Sequence, residues 1–219
     1  MNIEEAPPGI IGVVHRPIGY AATWGSIIQM DKPPLTGTIT MVGTALAEQR
    51  NTVVKGFLER PAYKWLLFID DDQVFPPDAL ARLLAHDKPI VAGLIAQKYP
   101  PFAAQFFMPT GDREHPLTRA TKEQSKGRDL VEIGAVGCGF MLIQRAVLEI
   151  TPYPWFAARW DSVGEDVYFC LKARDHGHTV WIDKSLRVGH LTIVSVLTGE
   201  DGEPVFTQDK WMPREKMTG

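Results

Sequence analysis

The stretch Lys64–Val74, K-W-L-L-F-I-D-D-D-Q-V, governs the fold class. Five apolar residues, Trp65–Ile69, run straight into three adjacent carboxylates, Asp70, Asp71 and Asp72. A short apolar run with polar bounds predicts a buried strand of an α/β sheet. The carboxyl ends of such strands form the crevice in which open α/β sheets bind ligands. Three like charges there repel one another unless a cation or a donor-rich ligand compensates them. The alternative is a solvated acidic turn that merely ends a strand. A metal-dependent site is the preferred reading.

Working outward, Ile11–Val14 predicts a strand ending at His15-Arg16-Pro17, and Ala21–Met30 a helix with Trp24, Ile27 and Ile28 on its apolar face. Gly37–Val42 reads as a second strand, followed by a helix from about Thr44 to Leu58. Beyond the aspartates, Pro76-Pro77-Asp78 opens a helix through Leu84, and Pro89–Ile95 reads as the next strand. This alternation implies a mostly parallel sheet flanked by helices. Gln97–Asp129, with four prolines and the pair Phe106-Phe107, predicts a long excursion over the sheet or a hairpin plus a mobile loop at Thr118–Arg128. Order returns with a strand at Leu130–Ile133, the run G-A-V-G-C-G-F-M-L-I and a helix near Arg145–Ile150. Val180–Asp183 predicts a strand, and residues from Glu200 onward a polar tail without periodicity.

The whole chain of 219 residues fits one domain with a sizeable core. Its 45% hydrophobic and 22% charged content belongs to a globular protein rather than a disordered one. A net charge of −3 argues against a strongly basic nucleic-acid-binding surface. Two cysteines, Cys138 and Cys170, make no disulfide framework and no CxxC pair, which together with the absence of a signal-peptide pattern predicts a reduced, cytoplasmic setting. No run approaches the ~18 apolar residues that a membrane span requires.

Some polar residues fall where apolar ones belong. In the helix from Thr44, Arg50 shares a face with Leu46, Val53 and Phe57, and Asn51 lies on the adjoining stripe with Ala47, Val54 and Leu58. A buried arginine needs a phosphate or carboxylate partner, or it snorkels or pairs with the protein's own aspartates. In Trp160–His178, Ser162 and Glu165 have capping-box spacing, Gly177 supplies a stop, and Val167, Cys170, Leu171 and Arg174 form the inner face of a helix. Glu165 and Asp166 are explained equally by helix chemistry, as a cap and a favourable first-turn acid, or by function. His190 can complete an oxygen-rich magnesium or manganese site.

In this order the chain resembles glycosyltransferases of the GT-A fold, especially short bacterial and phage members of the family-two-like group. The matching pieces are A-E-Q-R-N (Ala47–Asn51), L-L-F-I-D-D-D-Q-V-F-P-P-D-A-L (Leu66–Leu80), G-C-G-F-M-L-I-Q-R (Gly137–Arg145), P-W-F (Pro154–Phe156), G-E-D-V-Y-F-C-L-K-A-R (Gly164–Arg174) and G-H (Gly189–His190). The resemblance implies a single GT-A-like catalytic domain over residues 1–219, with 200–219 an extended tail. It also implies a nucleoside-diphosphate sugar as donor, UDP-linked first and guanosine-linked second, and a manganese or magnesium ion. Asp70 matches the aspartate approaching the ribose or a metal-bound water, and Asp72, with His190, the metal ligands. Asp70 is counted as a metal ligand as well, and Asp71 with the donor-binding group. Arg50 and Asn51 match a pair placed to hold the donor, with Lys98 adding positive potential. Gly139, in Gly137-Cys138-Gly139, matches a close-packed turn beneath donor sugar and acceptor. Asp166 matches the general base of inverting members, with Glu165 beside it. An extra helix-like piece before the second strand departs from the pattern, so His15 and Arg16 are only suggested as base-binding residues.

The implied reaction moves a sugar to an acceptor hydroxyl, with inversion preferred and retention left open. A soluble, saccharide-like acceptor is preferred. A DNA acceptor has no basic-aromatic stripe to support it, the Lys210-to-Lys216 cluster being too small to decide, and self-association stays open. Two rivals remain. Asp70–Val74 also satisfies the D-x-D-x-[TV] pattern of haloacid-dehalogenase phosphatases, for which Asp183-Lys184 is a poor later partner. A non-catalytic sugar-binding or scaffold protein is the other.

Overall fold

The computed structural model describes residues 2–43, 45–158, 164–199, 201 and 203–207. A strand β1 (Ile10–His15) is followed by helix α1 (Ala21–Gln29), β2 (Gly37–Val42) and α2 (Leu46–Leu58). Next come β3 (Trp65–Asp70), the short β4 (Gln73–Val74), α3 (Ala79–Ala85) and β5 (Ile90–Ile95). A small sheet of β6 (Phe106–Pro109), β7 (Leu117–Arg119) and β9 (Ala135–Val136) brackets β8 (Leu130–Ile133) in sequence. The chain continues through β10 (Phe140–Gln144), α4 (Arg145–Ile150), α5 (Glu165–Asp175) and β11 (Val180–His190). It closes with a hairpin of β12 (Ser195–Thr198) and β13 (Pro204–Thr207).

The central sheet has the order β2-β1-β3-β10-β5-β11-β4, with β8 also on β11. β1, β2, β3, β5 and β11 point one way, while β10, β4 and β8 run against them. Both faces are covered, so the central strands are apolar at every position rather than alternating. The period of two still sorts their side chains. Leu66 and Phe68 of β3 join Met141 and Ile143 of β10 in one core with α2, α4 and α5. Trp65, Leu67 and Ile69 join Phe140 and Leu142 in the other, with α1 and α3. No helix among the described residues is long and apolar enough to cross a membrane.

Several expectations need adjusting. β11 is one continuous strand from Val180 to His190, with a bulge between Asp183 and Arg187 where its pairing with β5 shifts. Asp183 holds that bulge by accepting from the backbone N–H groups of Ser185 (2.8 Å) and Leu186 (3.2 Å), and its other oxygen meets His86 at 3.0 Å. A bulge re-aims a strand, and past this one Gly189 and His190 pair with β4, directly behind the aspartates. The inner face of α5 is Phe169, Cys170 and Ala173, rotated from the predicted stripe because Phe169 stacks on Phe156 at 4.7 Å. The N-cap position of α5 is Gly164, and Ser162, like Thr44 and Trp160, lies outside the described residues. Of the two expectations for the excursion after β5 the hairpin is present, β6 with β7, and its second strand takes in Thr118 and Arg119 of the segment expected as a mobile loop. Part of the predicted tail, Pro204–Thr207, is paired as β13, and residues 208–219 lie outside the description.

Helix α2 is fixed to the sheet by Val53, Val54 and Phe57, each fully buried. Phe57 is also capped by Arg145, whose guanidinium sits 4.5 Å from the ring centroid. Phe57→Ala should therefore lower unfolding free energy by about 3–5 kcal/mol, the cost of truncating a buried aromatic, measured by urea denaturation.

Candidate active site

The carboxyl ends of the parallel strands open onto one cavity of about 540 Å³. Its wall is built from Val14–Pro17, at the end of β1 and just beyond it, Leu46, Gln49 and Arg50 of α2, Asp70–Gln73, Lys98, Gln105, Gly137–Gly139, Glu165 and Asp166 of α5, and His190. Segments far apart in sequence meet there, as ligand sites of open α/β sheets do. The three aspartates at its centre have three different sets of partners.

Asp70 faces Arg50, whose Nη2 lies 3.0 and 3.3 Å from its two oxygens. Arg50 is 2% exposed and also places Nε 3.4 Å from Glu165. Burial opposes the guanidinium charge, but Asp70 and the acids of α5 outweigh it and raise the pKa of Arg50 above the usual arginine value. Nη1 has no hydrogen-bond partner among the described residues, a donor that an anion in the cavity would satisfy. Burial pushes the Asp70 carboxyl upward, with Arg50 pulling against it.

Asp71 receives Arg16 through a fork. The Arg16 backbone N–H donates at 2.8 Å, Nε at 3.0 Å and Nη2 at 2.8 Å. The Asp71 carbonyl accepts from Thr23 Oγ1 and from the Tyr20 backbone N–H. Asp71 thus ties the loop after β1 to the aspartate turn. His15 lines the same wall, its Nδ1 2.8 Å from the Arg16 carbonyl.

Asp72 meets Lys98 at 2.7 Å and His190 Nε2 at 3.3 Å, and accepts from Gln73 Nε2 at 3.0 Å. Burial would raise its pKa, but the hydrogen bonds of His190 and Lys98 prevail and hold it well below the ordinary carboxylate range. The Nδ1 atom of His190 lies 2.9 Å from the Ala96 carbonyl, which can only accept, so Nδ1 carries a proton and Nε2 is turned to Asp72. Burial disfavours the imidazolium, yet Asp72 and Ala96 together raise the pKa of His190. A nitrogen and a carboxylate oxygen facing each other need either a shared proton or a shared cation. This donor set fits a divalent ion, and a backbone carbonyl that fixes the far nitrogen of the histidine, as Ala96 does here, is the usual companion of such a ligand. Among the described residues no group of three or more His, Cys, Asp or Glu forms a ready cage. Asp72 and His190 are the two residues that would hold such an ion.

Asp166 sits at the first turn of α5. Desolvation, reinforced by neighbouring Glu165, pushes its pKa up to about 6, with the Val167 N–H at 2.7 Å pulling against the rise. A carboxyl that titrates near neutrality beside a cavity can take a proton from a bound hydroxyl. Gly139 permits the close fit at the floor: a Cβ there would lie 3.2 Å from Gln73 Nε2 and 3.3 Å from Asp70 Oδ2.

Most of the sequence-predicted residues converge on this cavity: Arg50, Asp70, Asp71, Asp72, Lys98, Gly139, Glu165, Asp166, His190, and with them His15 and Arg16. Asn51 does not. Its Nδ2 donates to the Phe156 carbonyl at 2.7 Å, and its Oδ1 accepts from the Trp155 and Phe156 N–H groups at 3.1 Å each. It clamps the P-W-F segment from behind. Asp70 is engaged with Arg50 rather than with the Asp72–His190 pair. Gln73 and Gln105 were missed. Gln73 is 1% exposed, and its position directly after three acids was the available signal. For Gln105, one residue before an apolar pair, the sequence held none.

No family model matches the chain, and no curated protein matches it by sequence. Solved structures do. A197 from STIV is 19% identical, with 92% of this chain and 95% of that one covered and a TM-score of 0.61. GalNAc-T7, crystallised with UDP, GalNAc and Mn2+, is 13% identical, with 86% of this chain covered and a TM-score of 0.60; the chain spans 44% of its length. At these identities the likeness defines a fold, and that fold is GT-A, the fold of nucleotide-diphospho-sugar transferases. The phosphatase alternative, which requires a different fold, is set aside.

Asn51→Ala would strand three buried backbone groups, so it should destabilise the fold by about 3 kcal/mol in urea denaturation. The folded variant should bind nucleotide within about twofold of the parent, because the side chain does not line the cavity. A donor-holding role for Asn51 would instead show as a large loss of nucleotide affinity at unchanged stability.

Proposed function

We propose that the protein is a metal-dependent glycosyltransferase that moves a sugar from a nucleoside-diphosphate sugar, UDP-linked by preference, to an acceptor hydroxyl. The observation that carries the reading is the meeting, in one cavity of a GT-A fold, of a carboxylate and an imidazole that face each other at 3.3 Å (Asp72, His190) with a separate carboxyl, Asp166, whose pKa is pushed up to about 6. The order of the sequence motifs supports a family-two-like affiliation within that fold.

In this reading Asp72 and His190 would hold a manganese or magnesium ion, which when bound would offset negative charge on the diphosphate. Lys98 and Arg16 are the exposed-side cations, at 2.7 and 3.6 Å from Asp72, and supply further positive potential to the phosphates. Arg50 lies too deep to clamp a whole diphosphate. It holds Asp70 and Glu165 in place and offers Nη1 to a ligand oxygen. His15 and Arg16, at the end of β1, border the region in which the nucleoside would lie. Asp166 takes the proton of the acceptor hydroxyl as that oxygen attacks the anomeric carbon from the face opposite the diphosphate, which makes inversion the preferred course.

Nucleoside diphosphate should bind at least tenfold more tightly with magnesium or manganese than with chelator, and Asp72→Ala should erase that difference. Calorimetry giving equal affinities with metal and with chelator would remove the proposed role of Asp72. A metal-supplemented screen of nucleotide sugars should find one donor that is slowly hydrolysed even without acceptor, since positioning alone supplies much of the catalysis.

Asp166 must be deprotonated to act, so with its pKa raised to about 6 the turnover should fall as pH drops through that value and level off above it. Asp166→Asn should lower transfer by about 10²-fold or more and flatten the acid limb, while nucleotide affinity is kept. An unchanged acid limb in the variant would assign the titration to another group.

A further inference from the structure

A second cavity, of about 720 Å³, is lined in part by Gln105, Gly137 and Asp166, the same residues that line the first. The two therefore meet at the Asp166 carboxyl. Gly164 keeps that junction open, since a Cβ there would lie 2.7 Å from Asp166 Oδ1. The outer wall is the β6–β7 hairpin, in register from Phe107↔Arg119 to Pro109↔Leu117. The hairpin is fixed at its base, where Phe106 and Phe107 pair with Val136 and Ala135 of β9 immediately before Gly137. Its turn is held by the Thr110 N–H donating to the Pro116 carbonyl and the Glu114 N–H donating to Asp112.

Resting on the glycosyl-transfer reading above, we infer that this groove is the acceptor site and that its occupant is a saccharide. The lining mixes two chemistries. Phe107, Leu117, Val167 and Leu171 offer apolar surface, while Gln97, Gln105, Glu114 and Arg119 offer amide, carboxylate and guanidinium groups. A sugar ring asks for that combination: an apolar C–H face to lie against an aromatic or aliphatic surface, and hydroxyl edges that both donate and accept, as carboxamides do. The Arg119 guanidinium is placed over Phe107, 5.0 Å from its centroid, so the charged and apolar components form one fixed surface. The volume lies within the range of small-molecule sites. A nucleic-acid acceptor would need a surplus of cations to neutralise phosphates, whereas Glu114 and Asp166 here offset Arg119. An occupant of the groove presents its hydroxyl to the one carboxyl that both cavities share.

The test is an NMR titration of the isotopically labelled full chain with a panel of methyl glycosides and short oligosaccharides, beside separate titrations with magnesium–UDP, a DNA oligonucleotide and an unglycosylated peptide. At about 10 mM ligand, in the range where weak single-site sugar binding registers, at least one saccharide should shift amides within 105–119 and the first turn of α5. Arg119→Ala, at an exposed position, should weaken that binding about tenfold, in line with loss of a charged hydrogen-bonding partner, and leave magnesium–UDP affinity within about twofold. Saccharide shifts confined to other surfaces, no saccharide binding at all, or DNA or peptide filling the groove in place of sugar would overturn the assignment. Failure of magnesium–UDP to bind while saccharide still fills the groove would sink the donor reading and leave the groove assignment supported, so the two fail separately.

Discussion

Everything around the site depends on accommodating three adjacent carboxyl groups at the end of a buried strand. Like charges at consecutive positions repel, and burial makes each of them costlier. The fold resolves this by giving each aspartate a counter-ion from a different element: Arg50 of α2 for Asp70, Arg16 of the loop after β1 for Asp71, and Lys98 with His190 for Asp72. Each pairing is also a tether. Helix α2, the loop after β1 and the far end of β11 are all drawn to the aspartate turn. Removing one cation would therefore unbalance a charge and loosen an element together.

The tether through Arg50 reaches farther than the others. Its Nη2 holds Asp70 on β3 and its Nε approaches Glu165 on α5, so one buried guanidinium connects the aspartate turn with the helix that carries Asp166. The same charge bears on Asp166, where it opposes the upward push of burial and Glu165. A planar, permanently charged fork with several donors can serve two carboxylates in fixed directions, which a lysine at the same position could not. The bulge at Asp183 makes a comparable contribution from the other side, because without the shift in register between Asp183 and Arg187 the strand would not bring His190 into pairing with Gln73.

The framework was legible in the sequence because it obeys local rules. Trp65–Ile69 is apolar at every position because both faces of β3 are covered, and β2, β3, β5 and α4 follow directly from period and punctuation. The convergence of Asp72, His190 and Asp166 was legible only through the order of motifs, since nothing local says that residues 72 and 190 touch. What could not be read were properties of packing. Asn51 follows Arg50 and shares its burial, yet a rotation of about 100° per residue turns it from the cavity to the P-W-F segment. The inner face of α5 is set by the ring of Phe156, a partner from another segment. The bulge in β11 depends on hydrogen bonds that Asp183 accepts from its own following residues, so the sequence pattern ends the strand at Asp183.

The final distinction within the site is between carboxyls that the structure drives apart. Asp72 and Asp166 begin with the same intrinsic acidity and line the same cavity. Asp72 has a lysine and a histidine against it and is held ionised far below its ordinary range, while Asp166 has an acidic neighbour and little water and rises to about 6. Environments that separate two like groups in this way fit the two roles proposed for them, a permanent charge at Asp72 and a proton carrier near neutral pH at Asp166. The separation follows from topology. Asp72 lies where β5 and β11 deliver cations, whereas Asp166 opens a helix whose first turn is acidic and faces Arg50, already claimed by Asp70 and Glu165. The sheet order that places Lys98 and His190 beside Asp72 thus also leaves Asp166 as the carboxyl at the junction of the two cavities, free to exchange its proton.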